Sequence, residues 1–254
     1  MGCTIVTGAS SGIGRSLARR LAAGGEPVAL LARRRDLLDS LAKEIGDTGG
    51  RTCAIRCDVT DSESVRAAVA EAEARFGPAR RLVANAGGAE PTDGRHFEAR
   101  IVADQLDLNV VGVARCIEAV LPGMLERGSG HLVATGSLAA SRGLPGAGAY
   151  SAAKAALRNL MESLRIDLRG SGVDVTLIEP GFVRTRPHKK RKRTRPFAMD
   201  LETATERIHR AIEARKPVYA FPRSLVAVVR LGRALPAPVY DRLLAGRGPG
   251  PKRR

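Results

Sequence analysis

Tryptophan is absent from the 254 residues, and three tyrosines and five phenylalanines make up the whole aromatic complement. A surface that stacks successive nucleic-acid bases needs aromatic platforms, so this scarcity argues against nucleic acid as a partner. The four cysteines, Cys3, Cys53, Cys57 and Cys116, include no C-x-x-C pair, and the spacing of Cys53 and Cys57 sets both on one face of a strand. They read as buried free thiols in a reducing compartment. The four histidines, His96, His131, His188 and His209, stand apart with no H-x-x-x-H or His/Cys cluster, so no metal is expected. No uninterrupted apolar span reaches membrane length, and the chain opens on "MGCTIVTGAS", already strand and glycine turn, which leaves no room for a signal peptide. A soluble cytoplasmic protein is expected, with peripheral membrane contact left open.

Acidic side chains are scarce at one end only. Residues 1–185 hold 23 basic and 21 acidic side chains, whereas the last 69 residues hold 19 and 5, so nearly all of the net charge of +16 lies in the C-terminal third. That asymmetry points to an anionic partner there: phosphate, acidic protein, anionic lipid or nucleic acid. Seven of the ten residues in "RPHKKRKRTR", 186–195, are Lys or Arg.

Short apolar runs alternate with helix-length amphipathic stretches: "CTIV" then "GIGRSLARRLAA", "PVALLA" then "DLLDSLAKEI", "CAIRC" then "SESVRAAVAEAEARF". The strands "RLVANAG", "HLVATGS" and "VDVTLIEPG" continue the pattern. Strands apolar throughout and separated by helices predict an α/β fold, a doubly wound parallel sheet covered on both faces, in one domain. Ligands of such sheets bind beyond the carboxyl ends of the strands. Gly8, Ala32, Asp58, Asn85, Ser137 and Pro180 all fall at that edge.

After the first strand comes "TGASSGIG", which makes Gly8, Ser10, Ser11, Gly12, Ile13 and Gly14 a candidate pyrophosphate cradle. Glycine lets the backbone approach the phosphates, and the free N–H groups of a helix starting near Gly12 attract them. The spacing T-G-x-x-x-G-x-G resembles that of the short-chain dehydrogenase/reductase family, which has a Rossmann-like fold. At the end of the second strand an NAD-binding protein uses an acidic residue for the ribose 2′-hydroxyl. Here "LLARRRD" offers Ala32, and Arg33 or Arg34 for a 2′-phosphate, so NADP(H) is the expected cofactor.

"YSAAK" sets Tyr150 and Lys154 one helical turn apart, so both project from the same face. An ammonium beside a phenol favours the phenolate and brings the Tyr150 pKa down toward neutrality. Tyr150 is then the candidate acid or base for a carbonyl or alcohol. An exposed helix face is the other reading of such a pair.

Further matches follow the family's order. The resemblance implies that Ser137 in "VATGSLAAS" hydrogen-bonds the reacting oxygen, that Lys154 holds the nicotinamide ribose, and that Asn109 in "LDLNVVG" supports a water linking Lys154 to solvent. It also implies that Asp58 and Val59 in "CDVTD" contact adenine, with a turn cap the alternative for Asp58. Asn85, Ala86 and Gly87 in "VANAGG" would line the cofactor, while Pro180, Gly181, Val183 and Thr185 in "EPGFVRT" would seat the nicotinamide.

The resemblance covers residues 1–222 and implies hydride transfer between nicotinamide and a carbonyl or alcohol. Its rival is a non-catalytic dinucleotide-binding protein whose basic segment engages nucleic acid or an acidic partner. Within 1–222 the stretch 186–200 corresponds to the family's substrate lid, expected to recruit an anionic substrate or an anionic membrane surface, or to be a solvated loop. Residues 223–254 form an apolar and basic extension with a disordered tail. The ending "LVAVVRLGRALPAPVYDRLL" is similar to family members acting on lipophilic carbonyls. Its Leu225, Val226, Val228, Val229, Leu231 and Leu235 read first as core and second as cover for a dimer partner. Helices around 103–126 and 150–168 resemble those that pair in family homodimers and homotetramers.

Overall fold

The computed structural model describes residues 2–185 and 197–246. The basic run 186–195, most of the expected lid and the tail from 247 lie outside the described residues.

The chain alternates strand and helix: β1 (Cys3–Thr7), α1 (Gly12–Ala23), β2 (Val28–Ala32), α2 (Arg35–Gly46), β3 (Thr52–Arg56), α3 (Ser62–Phe76) and β4 (Ala79–Ala84). Then come α4 (Ala99–Leu106), a π-helical stretch (Asp107–Val111), α5 (Gly112–Glu126), β5 (Gly130–Thr135), a 3-10 turn (Leu138–Ser141), α6 (Gly148–Asp167) and β6 (Val173–Pro180). Two short strands, β7 (Val183–Arg184) and β8 (Met199–Asp200), pair with each other, and α7 (Leu201–Glu213), β9 (Val218–Phe221), α8 (Arg223–Ala234) and α9 (Ala237–Leu244) complete the order.

Seven strands form one parallel sheet in the order β3-β2-β1-β4-β5-β6-β9. Because side chains alternate along a strand, a sheet covered on both faces needs apolar residues in both directions. Cys3 and Ile5 of β1, Leu82 of β4 and Leu132 of β5 enter one core under α3, α5 and α6. Val6, Val83 and Val133, their neighbours in sequence, enter the other under α1, α2 and α7. Each such fully buried Leu, Ile or Val contributes roughly 1.5–3 kcal/mol relative to exposure. The chain runs outward from β1 to β3, then crosses back to β4 on the other side of β1. That reversal opens a crevice at the carboxyl ends of β1 and β4.

Cys53 and Cys57 do share one core face, and all four thiols are free and buried. Burial pushes Cys3, Cys53 and Cys57 up to about 11 and Cys116 to about 12.

The π-helical stretch joins α4 to α5, so Ala99–Glu126 is one continuous helix long and apolar enough to cross a membrane by length and composition, although Asp104, Asp107, Arg115 and Glu118 interrupt its apolar run. Its Ile101, Val113, Cys116, Ile117, Val120 and Met124 are buried within the protein, which accounts for the apolarity. One expectation is corrected: the C-terminal stripe is not core, since among the described residues none in α8 or α9 is buried. Sequence spacing marks which residues share a face of a helix, not what covers that face.

His131 in β5 is 1 % exposed, with Nε2 2.8 Å from the Thr176 hydroxyl. Burial, reinforced by the charges of Arg81 and Arg215, pushes its pKa down from 6.5 to about 4. The folded state keeps this imidazole neutral, whereas the unfolded chain binds a proton below 6.5. The contribution is therefore complete above pH 6.5 and is lost as pH falls toward 4, by roughly 3 kcal/mol. Urea denaturation of the wild type and His131→Gln across this window should show a shallower fall in the variant; parallel curves would contradict the assignment.

Candidate active site

The nucleotide end is built where β1 and β4 finish. Thr7 Oγ1 accepts the backbone N–H groups of Asn85 and Ala86, both at 3.0 Å, and Asn85 Nδ2 donates to the Thr7 carbonyl at 3.2 Å. Gly8 turns the chain at φ 67°, in the left-handed region, and a Cβ there would lie 2.9 Å from Ala86 Cα. A Cβ on Gly14 would collide with the Gly8 carbonyl. Only glycine permits both approaches.

Helix α1 starts at Gly12, and Ser11 at its N-cap makes no side-chain capping bond. Its first N–H groups and positive dipole end thus face the crevice, as an anion site requires. Ile13 packs against the core, and Thr185 comes back over the turn, with Cβ and Cγ2 3.3 Å from where a Cβ on Gly12 would be.

Arg34 Nη2 donates to Ser10 Oγ at 2.9 Å and Ser11 Oγ at 3.0 Å, which lays its guanidinium along the glycine turn. Arg33 is exposed beside Asp58. Asp58 Oδ1 accepts from the Thr60 N–H at 3.0 Å and hydroxyl at 2.8 Å, the turn-capping arrangement. Burial pushes this carboxyl up, but the Thr60 bonds and the charges of Arg33 and Arg56 outweigh it and hold it below the usual range. Val59 is buried and packs on Gly112, so its side chain belongs to the core.

The other half of the crevice gathers Asn109, Ser137, Tyr150 and Lys154. Tyr150 and Lys154 stand on one face of α6, with Nζ 5.8 Å from the centre of the phenol ring. Lys154 is 4 % exposed, and its ammonium donates to the Thr135 carbonyl at 2.8 Å. Burial pushes its pKa down from 10.5 to about 8, so it remains largely charged at neutral pH. Ser137 caps the 3-10 turn: its Oγ accepts from Ala139 N–H at 3.1 Å, and its hydroxyl also hydrogen-bonds with the Tyr150 phenol.

The tyrosine expectation is reversed in sign. Burial pushes the phenol above its ordinary 10, and the bond with Ser137 only partly offsets this. The ammonium points at Thr135 rather than at the phenol oxygen, and a desolvated phenolate is costly. At neutral pH Tyr150 is a protonated donor.

Asn109 lies fully buried in the π-helical stretch, a local irregularity frequent at functional sites. Its Nδ2 donates to the carbonyls of Gly88 and Gln105, both at 3.0 Å, and its Oδ1 accepts from Gly88 N–H at 3.4 Å. A Cβ on Gly87 would come 2.8 Å from Asn109 Oδ1 and 3.6 Å from Lys154 Nζ. The loop after β4 is thereby locked against the lysine. Pro180 ends β6, and Gly181 N–H donates to the Phe221 carbonyl at 2.8 Å, leading into Val183 of β7.

Sequence reasoning missed Arg158, one turn beyond Lys154. Its Nε donates to Glu179 Oε1 at 2.7 Å and its Nη2 to Ser141 Oγ at 3.2 Å. Glu179 is 5 % exposed and immediately precedes Pro180. The pair ties α6 to the end of β6 and to the turn that carries Ser137. A carboxylate inside the otherwise apolar "VTLIEP" was the available signal, since charged groups are rarely buried without a partner.

The short chain dehydrogenase family model matches residues 3–196, and the chain belongs to that family. An uncharacterised oxidoreductase of Myxococcus xanthus is 40% identical over 237 residues, covering 93% of this chain and 94% of the relative. A short chain dehydrogenase/reductase of Burkholderia phymatum, solved in complex with NAD, superposes with a TM-score of 0.82 at 26% identity, covering 100% of this chain and 98% of that one. An actinorhodin polyketide ketoreductase variant solved with NADPH gives 0.80 at 27% identity, covering 88% and 97%. The non-catalytic alternative finds no support among these oxidoreductases.

Removing Arg158 leaves the Glu179 carboxyl buried without its cation. Arg158→Ala should lower the unfolding free energy by about 3–5 kcal/mol at pH 7, with Arg158→Lys recovering part of the loss. Urea denaturation of both variants measures it, and wild-type stability in Arg158→Ala would mean that the pair carries no load.

Proposed function

We propose that the protein is an NADP(H)-dependent oxidoreductase that moves a hydride between the nicotinamide and a carbonyl or alcohol carbon. The observation that carries this reading is the convergence of a protonated Tyr150, the Ser137 hydroxyl and a buried Lys154 ammonium beside a glycine cradle that a Cβ would fill. When bound, the nicotinamide supplies or accepts the hydride. Gly8, Ser10, Ser11, Gly12, Ile13 and Gly14 would hold its pyrophosphate. Asp58, Val59, Asn85, Ala86 and Gly87 would line the adenine and ribose. Pro180, Gly181, Val183 and Thr185 would seat the nicotinamide.

In the reducing direction the Tyr150 phenol donates its proton to the substrate oxygen. Ser137 accepts from Ala139 N–H and hydrogen-bonds with the phenol, so its hydroxyl stands where it can turn to donate to the same substrate oxygen. As the phenol becomes phenolate, the Lys154 ammonium, held by Thr135 with Nζ 5.8 Å from the ring centre, offsets part of the new charge. Its other N–H groups are available to the nicotinamide ribose. Asn109 holds the Gly87 and Gly88 backbone against the lysine and supports the water through which Lys154 re-equilibrates with solvent.

NADP(H) selectivity rests on Arg33 and Arg34. The two structural relatives hold NADPH in one case and NAD in the other, so selectivity is argued from this chain's own residues. Ala32 presents no carboxylate to repel a 2′-phosphate, and the Arg34 guanidinium already lies against the turn. The substrate class that fits the composition is a lipophilic or anionic carbonyl or alcohol, with the basic run 186–195 as the recruiting charge. Assembly as a homodimer or homotetramer through α5 and α6 belongs to the same proposal.

Fluorescence titration should give markedly tighter binding of NADPH than of NADH. Replacing Arg33 and Arg34 by Ala should weaken NADPH by at least about tenfold, since a charge-assisted phosphate contact is worth roughly 1.5–3 kcal/mol. Equal affinities for the two cofactors would refute the selectivity. Tyr150→Phe should lower turnover by about 10²-fold or more on any accepted carbonyl while leaving NADPH affinity unchanged, because only the proton donor is lost. A variant with near wild-type turnover would eliminate the mechanism.

A further inference from the structure

Helices α8 and α9, joined by Leu235 and Pro236, are fastened to the segment that follows Ser137. Arg142 Nη1 donates to the carbonyls of Gly232 and Leu235, both at 2.8 Å, and its guanidinium stacks 3.8 Å from the centre of the Tyr240 ring. Tyr240 in turn donates to the Gly143 carbonyl at 2.8 Å. Arg142 and Gly143 directly follow the turn that begins at Ser137. The inner side of α8 is half-buried at Leu225, Val226 and Val229.

Four large apolar side chains on the two helices are uncovered. Val228 is 53% exposed, Leu231 69%, Val239 46% and Leu243 54%. Val228 and Leu231 are three residues apart on α8, and Val239 and Leu243 four apart on α9, so each pair shares a helix flank. Four arginines, Arg223, Arg230, Arg233 and Arg242, are exposed on the same two helices, against one acidic residue, Asp241. The sequence from 247 to 254 adds four more basic residues and no acidic one.

We propose that this pair of successive helices is an interfacial element that docks on an anionic lipid surface. Its exposed Val and Leu side chains enter the boundary between headgroups and acyl chains, while its arginines pair with lipid phosphates. A second copy of the chain fits the surface less well. A two-fold interface brings the same patch against itself and would oppose the two basic surfaces. Nucleic acid fits less well again, because the single aromatic of the two helices, Tyr240, is held by Arg142 and Gly143 and offers no platform for bases. Since the two helices are bonded to the segment after Ser137, docking turns that side of the crevice toward the lipid. This last consequence rests on the proposed reductase reading for a lipophilic substrate; the docking itself does not.

Co-sedimentation of the full chain with vesicles of phosphatidylcholine containing phosphatidylglycerol, and with pure phosphatidylcholine, tests the proposal. The protein should bind the anionic vesicles and not the neutral ones. The double variant Leu231→Asp, Leu243→Asp should bind at least about tenfold more weakly, because two exposed side chains lose their insertion. A variant with residues 189–193 replaced by Ser should retain the part of the binding that the double variant loses. Light scattering should give wild type and double variant the same mass. Absence of vesicle binding, or a double variant that binds as wild type does, would overturn the proposal. So would a double variant that dissociates an oligomer, which would assign the face to a second copy. The readout is lipid binding rather than turnover, so failure of the enzymatic reading and failure of the docking are separately visible.

Discussion

One buried hydroxyl holds the two halves of the crevice together. Thr7, at the end of the first strand, accepts the N–H groups of Asn85 and Ala86 at the end of the fourth. These two strands are neighbours only because the chain runs outward through three strands and then reverses. Without that acceptor, two backbone donors would be buried unpaired, at a cost of about 1–3 kcal/mol each. With it, the glycine turn after β1 lies against the loop after β4, and Asn85 reaches on to accept from the Thr135 hydroxyl at 3.3 Å. Three strand ends become one rigid edge.

The same edge tolerates an ammonium that the interior would otherwise reject. Lys154 is buried with desolvation as the cause of its lowered pKa, and the carbonyl of Thr135 is its hydrogen-bond acceptor. A backbone oxygen fixes its position without neutralising its charge. The charge therefore persists inside the crevice. Asn109 and Gly87 keep this pocket open from the other side, and the Arg158–Glu179 pair braces it from beneath by joining α6, β6 and the Ser137 turn. Polar groups bought this geometry at a real desolvation cost, and each has a partner that limits it.

The C-terminal helices α8 and α9 show the opposite balance. Their inner side is only half-buried and their attachments are polar: two carbonyl acceptors for Arg142 and one for Tyr240. Directional bonds can fasten an amphipathic element to a domain while leaving its apolar flank outside the core. An element held in this way is free to meet a second phase, which distinguishes it from α1 or α6, whose apolar sides close the sheet.

Residue pattern alone determined the doubly wound sheet, since apolar strands alternating with amphipathic helices have few other ways to bury both faces. It also marked Gly8, Gly12 and Gly14, Ser137, and the pair Tyr150 and Lys154, because those relations lie within one turn, one strand end or one ordered set of motifs. What the Lys154 ammonium faces, why the Tyr150 phenol stays protonated, the π-helical stretch at Asn109 and the Arg158–Glu179 partnership were not legible there. Each depends on groups brought together from distant strands and on how completely packing excludes water. The apolar stripe from Leu225 to Leu235 makes the same point: spacing defines its face, but only the packed structure decides that the core does not cover it. Local periodicity is written in neighbouring residues, whereas burial and charge environment belong to the whole fold.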